Sequence, residues 1–417
     1  MFDDIIKNNY DCKCGHIHTI SLKKIVCKEN ALELAPGIIA EFSKNNKVAM
    51  VCDDNTYIAA GKTLEEKFDF YQIIKLDSNG LHANEKGVEM LLNAVKPDTD
   101  LFVAVGSGTI HDITRYVAAQ KNIDFVSVPT APSVDGFVST VAAMTWNGAK
   151  KTLSAVAPIA MVADLNIIAC APQKLIAAGV GDMIGKYTSL LDWKIANLVS
   201  DEYICDYLIG LEEEAIKKVA SSIDKISLGD KEAIGDLFYG LVLSGLAMQM
   251  CGNSRPASGS EHHISHFIEM GAMGLESEAY HGEKVGVGLA LACDKYKEMA
   301  SLLDNTLSVN ENYQLPKDEI NNIFGPLSGE VFIENENDCL SMVDIKRVSE
   351  CIEEIKGLID ELPSGTEIRE MLKKVNAPYT LEDIGVASEY KEKILRFSPF
   401  VRNRLTFMRL LHLFEAV

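Results

Sequence analysis

Four of the nine histidines lie between Asn253 and Gly288, in the stretch NSRPASGSEHHISHFIEMGAMGLESEAYHGEKVGVG. His262 and His266 are four residues apart, and residues at this spacing share one face of a helix. His281 follows later, in His-Gly-Glu-Lys, where it can close around the same point. Two imidazoles and one carboxylate are a common ligand set for a divalent metal ion with an open position. The spacing therefore predicts a metal centre that takes its carboxylate from another part of the chain.

Asp182 is the best candidate for that carboxylate. It ends the sequence Gly179-Val180-Gly181-Asp182, inside or at the start of a predicted helix. Two glycines lower the stability of a helix, so their presence indicates that another part of the chain approaches the backbone closely. A helix-capping role for Asp182 is the alternative interpretation.

Basic residues near these motifs are candidates for contacting an acidic substrate. Arg255, just before Pro256, is the best of them because it precedes the first two histidines by only a few residues. Lys150, Lys151 and Lys284 are weaker candidates, since lysines commonly lie on solvated faces.

Small residues after a predicted strand form a candidate phosphate site. Gly106-Ser107-Gly108-Thr109 comes before a predicted helix, where backbone N–H groups and the helix N-terminus favour an anion. A dinucleotide fingerprint, G-x-G-x-x-G, would have glycine at the position of His111. The motif is therefore incomplete, and a tight strand-to-helix turn explains it equally well.

Two further polar groups follow predicted strands. Pro129 to Gly136 offers the hydroxyls of Thr130 and Ser133 and the carboxylate of Asp135. Asp53 follows an earlier strand and suits a ribose hydroxyl. A turn stiffened by two prolines and a loop-facing aspartate are the alternatives to these functional interpretations.

Alternating strands and helices must position these residues in the first part of the chain. Buried apolar runs, separated by amphipathic stretches, predict a mostly parallel sheet with helices on both faces, and ligands of such sheets bind at the carboxyl ends of strands. The predicted strands are 47–52, 72–76, 101–105, 125–128 and 161–164, with helices over 56–68, 85–95 and 110–120. Two further strand-like runs, 138–146 and 150–156, flank Asn147-Gly148, a strong hairpin signal.

Long amphipathic stretches dominate after Pro172 and predict a helical second domain, which places a domain boundary near residue 170. We therefore expect an α/β dinucleotide-binding domain over 1–170 and a helical metal- and substrate-binding domain over 171–417. The segment 304–340 is polar and predicts an irregular surface excursion. The predicted helices are 173–199, 202–223, 231–251, 260–274, 283–303, 343–360 and 365–375.

Composition limits the function classes. The chain has 417 residues, 47% of them hydrophobic and 24% charged, as in a soluble globular protein. Its net charge of −20 argues against nucleic-acid binding, which requires clustered Lys and Arg. No leader-like apolar stretch opens the sequence, and no run is long enough to span a bilayer, so we expect a cytoplasmic protein with reduced cysteines.

Cys12, Cys14, His16 and His18 fall within seven residues near the N-terminus. This spacing does not match common zinc modules, and a single turn cannot easily surround an ion with four ligands so close in sequence. We therefore interpret the cluster as structural or incidental.

These motifs together resemble those of the glycerol-1-phosphate dehydrogenase family. That family belongs to the superfamily of iron-type alcohol dehydrogenases, glycerol dehydrogenases and dehydroquinate synthases. The N-terminal CKCG and the C-terminal RFSPFVRNRLT (396–406) are similar to the bacterial branch, whose members favour nickel where archaeal relatives favour zinc. The matching segments are VAVGSGTIHD (103–112), VPTAPSVDGFVS (128–139), GVGDMIGKYTSLLDW (179–193), SRPASGSEHHISHF (254–267) and HGEKVGVG (281–288).

The resemblance implies roles for individual residues. Asp182, His262 and His281 would bind the metal ion, and His266 and Asp135 would contact the substrate, as would Asp182 and Arg255. Asp135, His266 and Asp182 would form the catalytic set. The residues implied to bind NAD or NADP are Asp53, Gly106, Ser107, Gly108, Thr109, Ile110, Thr130, Ser133 and Ser139.

The implied reaction is the reversible NAD(P)H-dependent reduction of dihydroxyacetone phosphate to sn-glycerol 1-phosphate, a step of phospholipid biosynthesis. A polyol or alcohol dehydrogenase without a phosphate pocket is the nearest alternative. A dehydroquinate-synthase-like lyase and a catalytically inactive binding protein are two others. We expect no membrane partner and a homodimer, the commonest oligomer.

Overall fold

A computed structural model describes residues 5, 10–146, 149–303, 310 and 313–414. The chain packs as two compact units. The first unit consists of Met1–Gly179 and Ser221–Gly252, and the second consists of Val180–Ala220 and Asn253–Val417. The domain boundary near residue 170 stays a prediction, and packing assigns the later segment 221–252 to the first unit.

A six-stranded parallel sheet forms the centre of the first unit, in the order β3-β10-β7-β6-β4-β5. The fold class predicted from the sequence is confirmed, and the sheet also includes β3, which was not predicted. The six strands are β3 (Lys24–Lys28), β4 (Val48–Asp53), β5 (Gln72–Leu76), β6 (Leu101–Gly106), β7 (Asp124–Pro129) and β10 (Ala160–Asp164).

Each face of the sheet buries its own apolar cluster, because successive side chains of a strand point to opposite faces. In β4, Val48, Met50 and Cys52 join one cluster, while Ala49 and Val51 join the other. Helices cover both faces, as is usual for parallel sheets. The helices of this unit are Ala35–Phe42, Asp54–Thr56, Lys62–Glu65, Glu85–Ala94, Gly108–Lys121, Leu165–Ala169, Ile223–Ser227 and Lys231–Cys251, and a π-helical turn spans Tyr57–Gly61.

Two short antiparallel pairs complete the first unit. Strand β1 (Tyr10–Asp11) pairs with β2 (Ile17–His18), and β8 (Val141–Trp146) pairs with β9 (Ala149–Ser154). The second pair is the predicted hairpin, although its Asn147-Gly148 turn lies outside the described residues.

The Lys231–Cys251 helix is long and apolar enough to cross a bilayer by length and composition, but 78% of its most apolar window is buried. Burial of that extent is typical of the core helix of a folded domain.

The described part of the second unit contains helices and irregular segments. The Gln173–Ser200 helix begins in the first unit and continues into the second. The prediction of an irregular 304–340 segment was wrong over 317–334, where Ile320, Phe324 and Val331 are buried. The other helices of the unit are Asp206–Ser221, Ser260–Glu269, His281–Leu302, Lys317–Phe324, Ser328–Glu334, Ile345–Glu350, Ile352–Asp360, Gly365–Lys374, Lys391–Phe397 and Phe407–Leu410.

Candidate metal and cofactor sites

Three helices of the second unit bring Asp182, His262 and His281 together. Their ligand atoms lie within 4.8 Å of one another, and Nε2 of His262 is 3.7 Å from Oδ1 of Asp182. Asp182 is fully buried and His262 is 6% exposed. His281 is half-buried. Two imidazoles and one carboxylate at this spacing form a donor set that suits a divalent metal ion.

Each of the two histidines is oriented by a carboxylate on its far side. Nδ1 of His262 donates to Oε1 of Glu261 at 2.7 Å, and Nδ1 of His281 donates to Oε1 of Glu269 at 2.9 Å. These bonds leave Nε2 as the nitrogen with a lone pair on both rings. Ligand histidines in proteins are commonly held in this way, which fixes both the tautomer and the ring orientation.

His266, Glu269 and His281 form a second group whose ligand atoms also lie within 4.8 Å of one another. In that group Glu269 is already bonded to Nδ1 of His281 and lies 3.6 Å from the ammonium of Lys284. This is the arrangement of a carboxylate that supports a ligand, so the geometry favours Asp182 over Glu269 as the direct ligand.

Lys186 keeps Asp182 ionised. Burial would raise the pKa of Asp182, but the Lys186 ammonium, at 2.7 Å from Oδ1, and the two histidines outweigh it and lower the pKa to about 2. Lys186 also donates to the Asp182 carbonyl at 2.9 Å, one helical turn away. The sequence reasoning missed Lys186, although the i and i+4 spacing was a readable signal.

His266 completes the ring cluster, with its centroid 5.9 Å from that of His262 and 5.8 Å from that of His281. Burial and the nearby Arg402 lower its pKa well below the usual range, against the opposing effect of Glu269. The imidazole is therefore neutral at physiological pH. Its buried Nδ1 has no hydrogen-bond partner among the described residues, as expected of a group that contacts a ligand.

The two glycines before Asp182 allow the close backbone approaches that the sequence indicated. A Cβ added at Gly181 would lie 2.1 Å from the carbonyl oxygen of Gly282, the residue after His281. A Cβ added at Gly179, in the first unit, would lie 1.7 Å from the carbonyl oxygen of Pro132. Gly181 therefore sets the distance between the helix of Asp182 and the N-terminus of the helix of His281.

A buried carboxylate, Asp192, holds the N-terminus of the helix that carries His262. Its Oδ2 accepts from the Ser260 backbone N–H at 2.8 Å, and its Oδ1 accepts from the Phe407 N–H at 2.8 Å and the Tyr296 hydroxyl at 2.6 Å. Burial raises the pKa of Asp192 to about 6, although these hydrogen bonds favour the ionised form. Three segments distant in sequence thus converge on one side chain.

Arg255 is committed to internal partners. Its Nε lies 2.8 Å from Oε1 of Glu202, and its Nη2 donates to the carbonyl of Leu405 at 2.6 Å. The neighbouring Arg404 donates to the carbonyl of Ser258 at 2.6 Å. These contacts join the C-terminal segment to the loop before the Ser260–Glu269 helix. The substrate role of Arg255 stays a prediction.

The predicted cofactor residues cluster at the carboxyl ends of three adjacent strands of the first unit. Asp53 ends β4, Gly106 ends β6 and Pro129 ends β7, and the Thr130 N–H donates to the Gly106 carbonyl at 3.1 Å. Ser107 is the N-cap of the Gly108–Lys121 helix and makes no side-chain capping bond. The first N–H groups of that helix are thus left for an anion, which fits a dinucleotide phosphate.

His111, at the position of the missing third glycine, makes a hydrogen bond from each side of its ring. Its Nδ1 donates to the Ser107 carbonyl at 2.9 Å, and its Nε2 accepts from the Ser127 hydroxyl at 2.8 Å. Burial lowers its pKa to about 3, so the ring is neutral. A buried imidazole thus stands where the fingerprint has glycine, and it links the turn after β6 to β7.

The other polar candidates in this unit lie close to the same strand ends. Asp135 accepts from the Ser244 hydroxyl at 3.1 Å. Thr130, Ser133 and Ser139 are each about nine-tenths buried or more, and the Ser139 hydroxyl accepts from the Val141 N–H at 3.1 Å. Oδ1 of Asp53 caps its own helix by accepting from the Thr56 N–H at 2.8 Å. Oδ2 of Asp53 would therefore make the contact with the ribose. That contact stays a prediction.

Named proteins from bacteria and archaea are similar to this chain in sequence. A protein named glycerol-1-phosphate dehydrogenase [NAD(P)+] from Geobacillus stearothermophilus is 34% identical over 98% of this chain and 97% of its own length. The chain belongs to the glycerol-1-phosphate dehydrogenase family. A protein of the same name from Bacillus subtilis is 34% identical over 88% of this chain and 86% of its own length. An archaeal one, from Pyrococcus furiosus, is 35% identical over 64% of this chain and 76% of its own length.

The wider family and the fold agree with this membership. Residues 26–172 match the family of iron-containing alcohol dehydrogenases. A putative alcohol dehydrogenase from Ralstonia eutropha aligns with a TM-score of 0.63 and 15% identity, over 95% of this chain and 96% of that structure. At that identity the structural likeness supports the fold alone.

Proposed function

We propose that this protein is a metal-dependent, NAD(P)H-linked oxidoreductase that interconverts dihydroxyacetone phosphate and sn-glycerol 1-phosphate. The observation that carries the proposal is the group of Asp182, His262 and His281, in a chain that is similar over nearly its full length to proteins named for this activity. A metal-binding group and a dinucleotide-type phosphate loop in one chain suit hydride transfer to a carbonyl.

Asp182, His262 and His281 would hold a divalent metal ion, which would supply Lewis-acid stabilisation of the oxyanion that forms at C2. Glu261 and Glu269 hold the two imidazoles in the tautomer that presents Nε2. These two carboxylates are positioning residues, because they act through the histidines rather than on the substrate.

His266 and Asp135 are the proposed substrate contacts. His266 is half-buried and neutral, so one ring nitrogen carries a proton that can be donated in a hydrogen bond to a substrate oxygen. We assign it the relay of a proton to and from that oxygen. Asp135, held by Ser244, would accept a hydrogen bond from a substrate hydroxyl beside the nicotinamide.

The nicotinamide cofactor would be held by the strand-end residues of the first unit. The N-terminal N–H groups of the Gly108–Lys121 helix would bind the pyrophosphate, together with Ser107 and Thr109. Thr130, Ser133 and Ser139 would complete the site with hydroxyl groups. The carboxylate of Asp53 would favour NAD over NADP, because it would repel a 2′-phosphate.

A rate comparison tests the substrate assignment. The ratio of kcat/KM for dihydroxyacetone phosphate to that for dihydroxyacetone, each with NADH and NADPH, should be large. Comparable rates on the two compounds would favour a polyol dehydrogenase and overturn the assignment. Steady oxidation of NAD(P)H with turnover also excludes a lyase that uses the cofactor only transiently.

Three finer proposals accompany this function. The donor set accepts nickel, zinc, iron or cobalt, and we propose nickel or zinc as the native ion. We propose a cytoplasmic location, in keeping with ten cysteines, none of which forms a disulfide within the described residues. We also propose a homodimer, which light scattering of the purified protein would check.

A further inference from the structure

The N-terminal segment folds into a small hairpin around Cys12 and Cys14. Strand β1 pairs antiparallel with β2, with Asp11 opposite Ile17 and Tyr10 opposite His18. The turn closes with the Gly15 N–H donating to the Cys12 carbonyl at 2.9 Å, and Gly15 has a φ of +82°. A glycine in this left-handed conformation lets the chain reverse directly after Cys14.

This hairpin gathers three metal-binding side chains. The ligand atoms of Cys12, Cys14 and His18 all lie within 4.8 Å of one another, and Sγ of Cys14 is 3.5 Å from Nε2 of His18. Two such atoms on a tetrahedral zinc ion are about 3.6 Å apart, from Zn–S of about 2.3 Å and Zn–N of about 2.05 Å. The observed separation therefore needs almost no adjustment to accept an ion.

His18 is preset for that role. It is fully buried, and its Nδ1 donates to the Met250 carbonyl at 2.8 Å, which makes Nε2 the lone-pair nitrogen that faces Cys14. A backbone carbonyl on the far side of a ligand imidazole is a common supporting contact in metal sites. The anchor is 232 residues away in sequence, so the ring orientation is set by tertiary structure.

His16 and His18 differ in burial, which bears on the number of ligands that the hairpin has to supply. One turn does not have to supply four ligands, because His16 lies on the exposed side of the hairpin while His18 lies on the buried side. Residues 16 and 18 of a strand would share a face, but His16 precedes β2, and of these two histidines only His18 is paired in that strand. The four residues of the cluster therefore reduce to a specific three-residue set, Cys12, Cys14 and His18.

We propose that Cys12, Cys14 and His18 form a structural zinc-type site, separate from the Asp182, His262 and His281 group. Two thiolates and one imidazole select a soft or borderline ion, whereas the carboxylate and two imidazoles of the other site accept a wider range of metals. A structural zinc ion takes four ligands, so a further ligand outside this set completes the tetrahedron. The proposal does not depend on the substrate of the enzyme.

The site would fasten the N-terminal segment to the carboxyl end of the Lys231–Cys251 helix. Next to His18 and Met250, the Ser21 N–H donates to Oε1 of Gln249 at 2.9 Å, and Nε2 of that glutamine donates to the Val138 carbonyl. Val138 directly precedes Ser139, one of the proposed cofactor residues. A bound ion would thus stabilise the chain where the N-terminus, a core helix and the cofactor region of the first unit meet.

Metal counting on the full-length protein tests the proposal. Elemental analysis of wild-type protein should give two metal equivalents per chain, with one lost in Cys14→Ser and the other lost in Asp182→Ala. His16→Ala, a change in the same turn, is the matched control and should keep both. A serine scan of the remaining cysteines should then identify the further ligand if it is a thiolate.

Cobalt substitution gives a spectroscopic readout of thiolate ligands, which the wild-type protein already provides. Wild-type protein reconstituted with Co²⁺ should show the intense near-ultraviolet absorption of thiolate-to-cobalt charge transfer, and Cys14→Ser should lose it. The proposal would be overturned if wild-type protein lacked that absorption, or if it bound only the one metal equivalent that is lost in Asp182→Ala. If Cys14→Ser fails to fold, the wild-type spectrum and metal count still decide.

Discussion

The contact between Gly181 and Gly282 offers the sharpest test of the metal-site geometry. An ideal Cβ at position 181 lies 2.1 Å from the Gly282 carbonyl oxygen, where a carbon–oxygen contact normally measures about 3.3 Å. In Gly181→Ala, one helix must therefore retreat by about 1.2 Å. Gly282 directly follows His281, so the imidazole moves with the backbone.

A shift of this size should damage function far more than folding. Misplacing a reacting group by about 1 Å can reduce activity about 10²-fold, and we expect a loss of that order in kcat/KM. Overpacking destabilises by about 1–3 kcal/mol. The better helix propensity of alanine offsets about 1 kcal/mol of this, so the net loss of stability is about 0–2 kcal/mol.

The assay is reduction of dihydroxyacetone phosphate at saturating NADH, with bound metal and urea unfolding measured on the same samples. Gly210→Ala is the matched control, because it lies in the Asp206–Ser221 helix and an added Cβ there meets nothing within 4 Å. That control should keep full activity and metal. Wild-type kcat/KM and metal affinity in Gly181→Ala would refute the reasoning.

Three further substitutions test the support of His262, the role of His111 and the role of Asp192. Glu261→Gln should weaken metal affinity about 10–100-fold by loosening His262, and a metal titration that matches wild type would contradict this. His111→Leu should raise the KM for NAD(P)H without changing bound metal, because the imidazole bonds to the Ser107 carbonyl and the Ser127 hydroxyl are lost; an unchanged KM would count against this positioning role. Asp192→Asn should lower stability by about 1–3 kcal/mol, since an amide cannot accept from all three donors. Because the pKa of Asp192 is raised, its carboxyl group holds a proton more tightly in the folded state than in the unfolded chain. The contribution of Asp192 to the free energy of unfolding therefore falls as the pH rises from 3.8 to about 6. Urea unfolding across that range should show this slope in wild type and lose it in the variant, and equal slopes would contradict the assignment.

Much of the sheet could be predicted from the sequence because its strands are buried on both faces and read as continuous apolar runs. Leu101–Gly106 is such a run, and it was predicted to within one residue. Strand β3 was missed because Lys24–Lys28 has lysine at both ends and only partial burial between them. The Lys317–Phe324 helix was missed because just two of its residues, Ile320 and Phe324, are buried.

The shared helix face of His262 and His266 could be predicted because that spacing is local, whereas the set of Asp182, His262 and His281 comes from three helices and was implied only by the resemblance to a family. The residues that support the metal-binding side chains could not be predicted from the sequence, because the partners of Glu269 and Asp192 lie on other helices and are decided by packing. The N-terminal cluster shows the same limit. Sequence spacing treats His16 and His18 alike, whereas the hairpin exposes one and buries the other beside a distant carbonyl.

The proposed reduction of dihydroxyacetone phosphate depends on a metal ion held by Asp182, His262 and His281. The most direct test is to deplete the full-length protein of metal, restore nickel, zinc, iron or cobalt in turn, and follow NAD(P)H oxidation with dihydroxyacetone phosphate. We expect negligible turnover without metal, recovery with at least one ion, and no recovery in His281→Ala, which should also fail to bind that ion at this site. Full activity in the metal-depleted protein or in His281→Ala would contradict it.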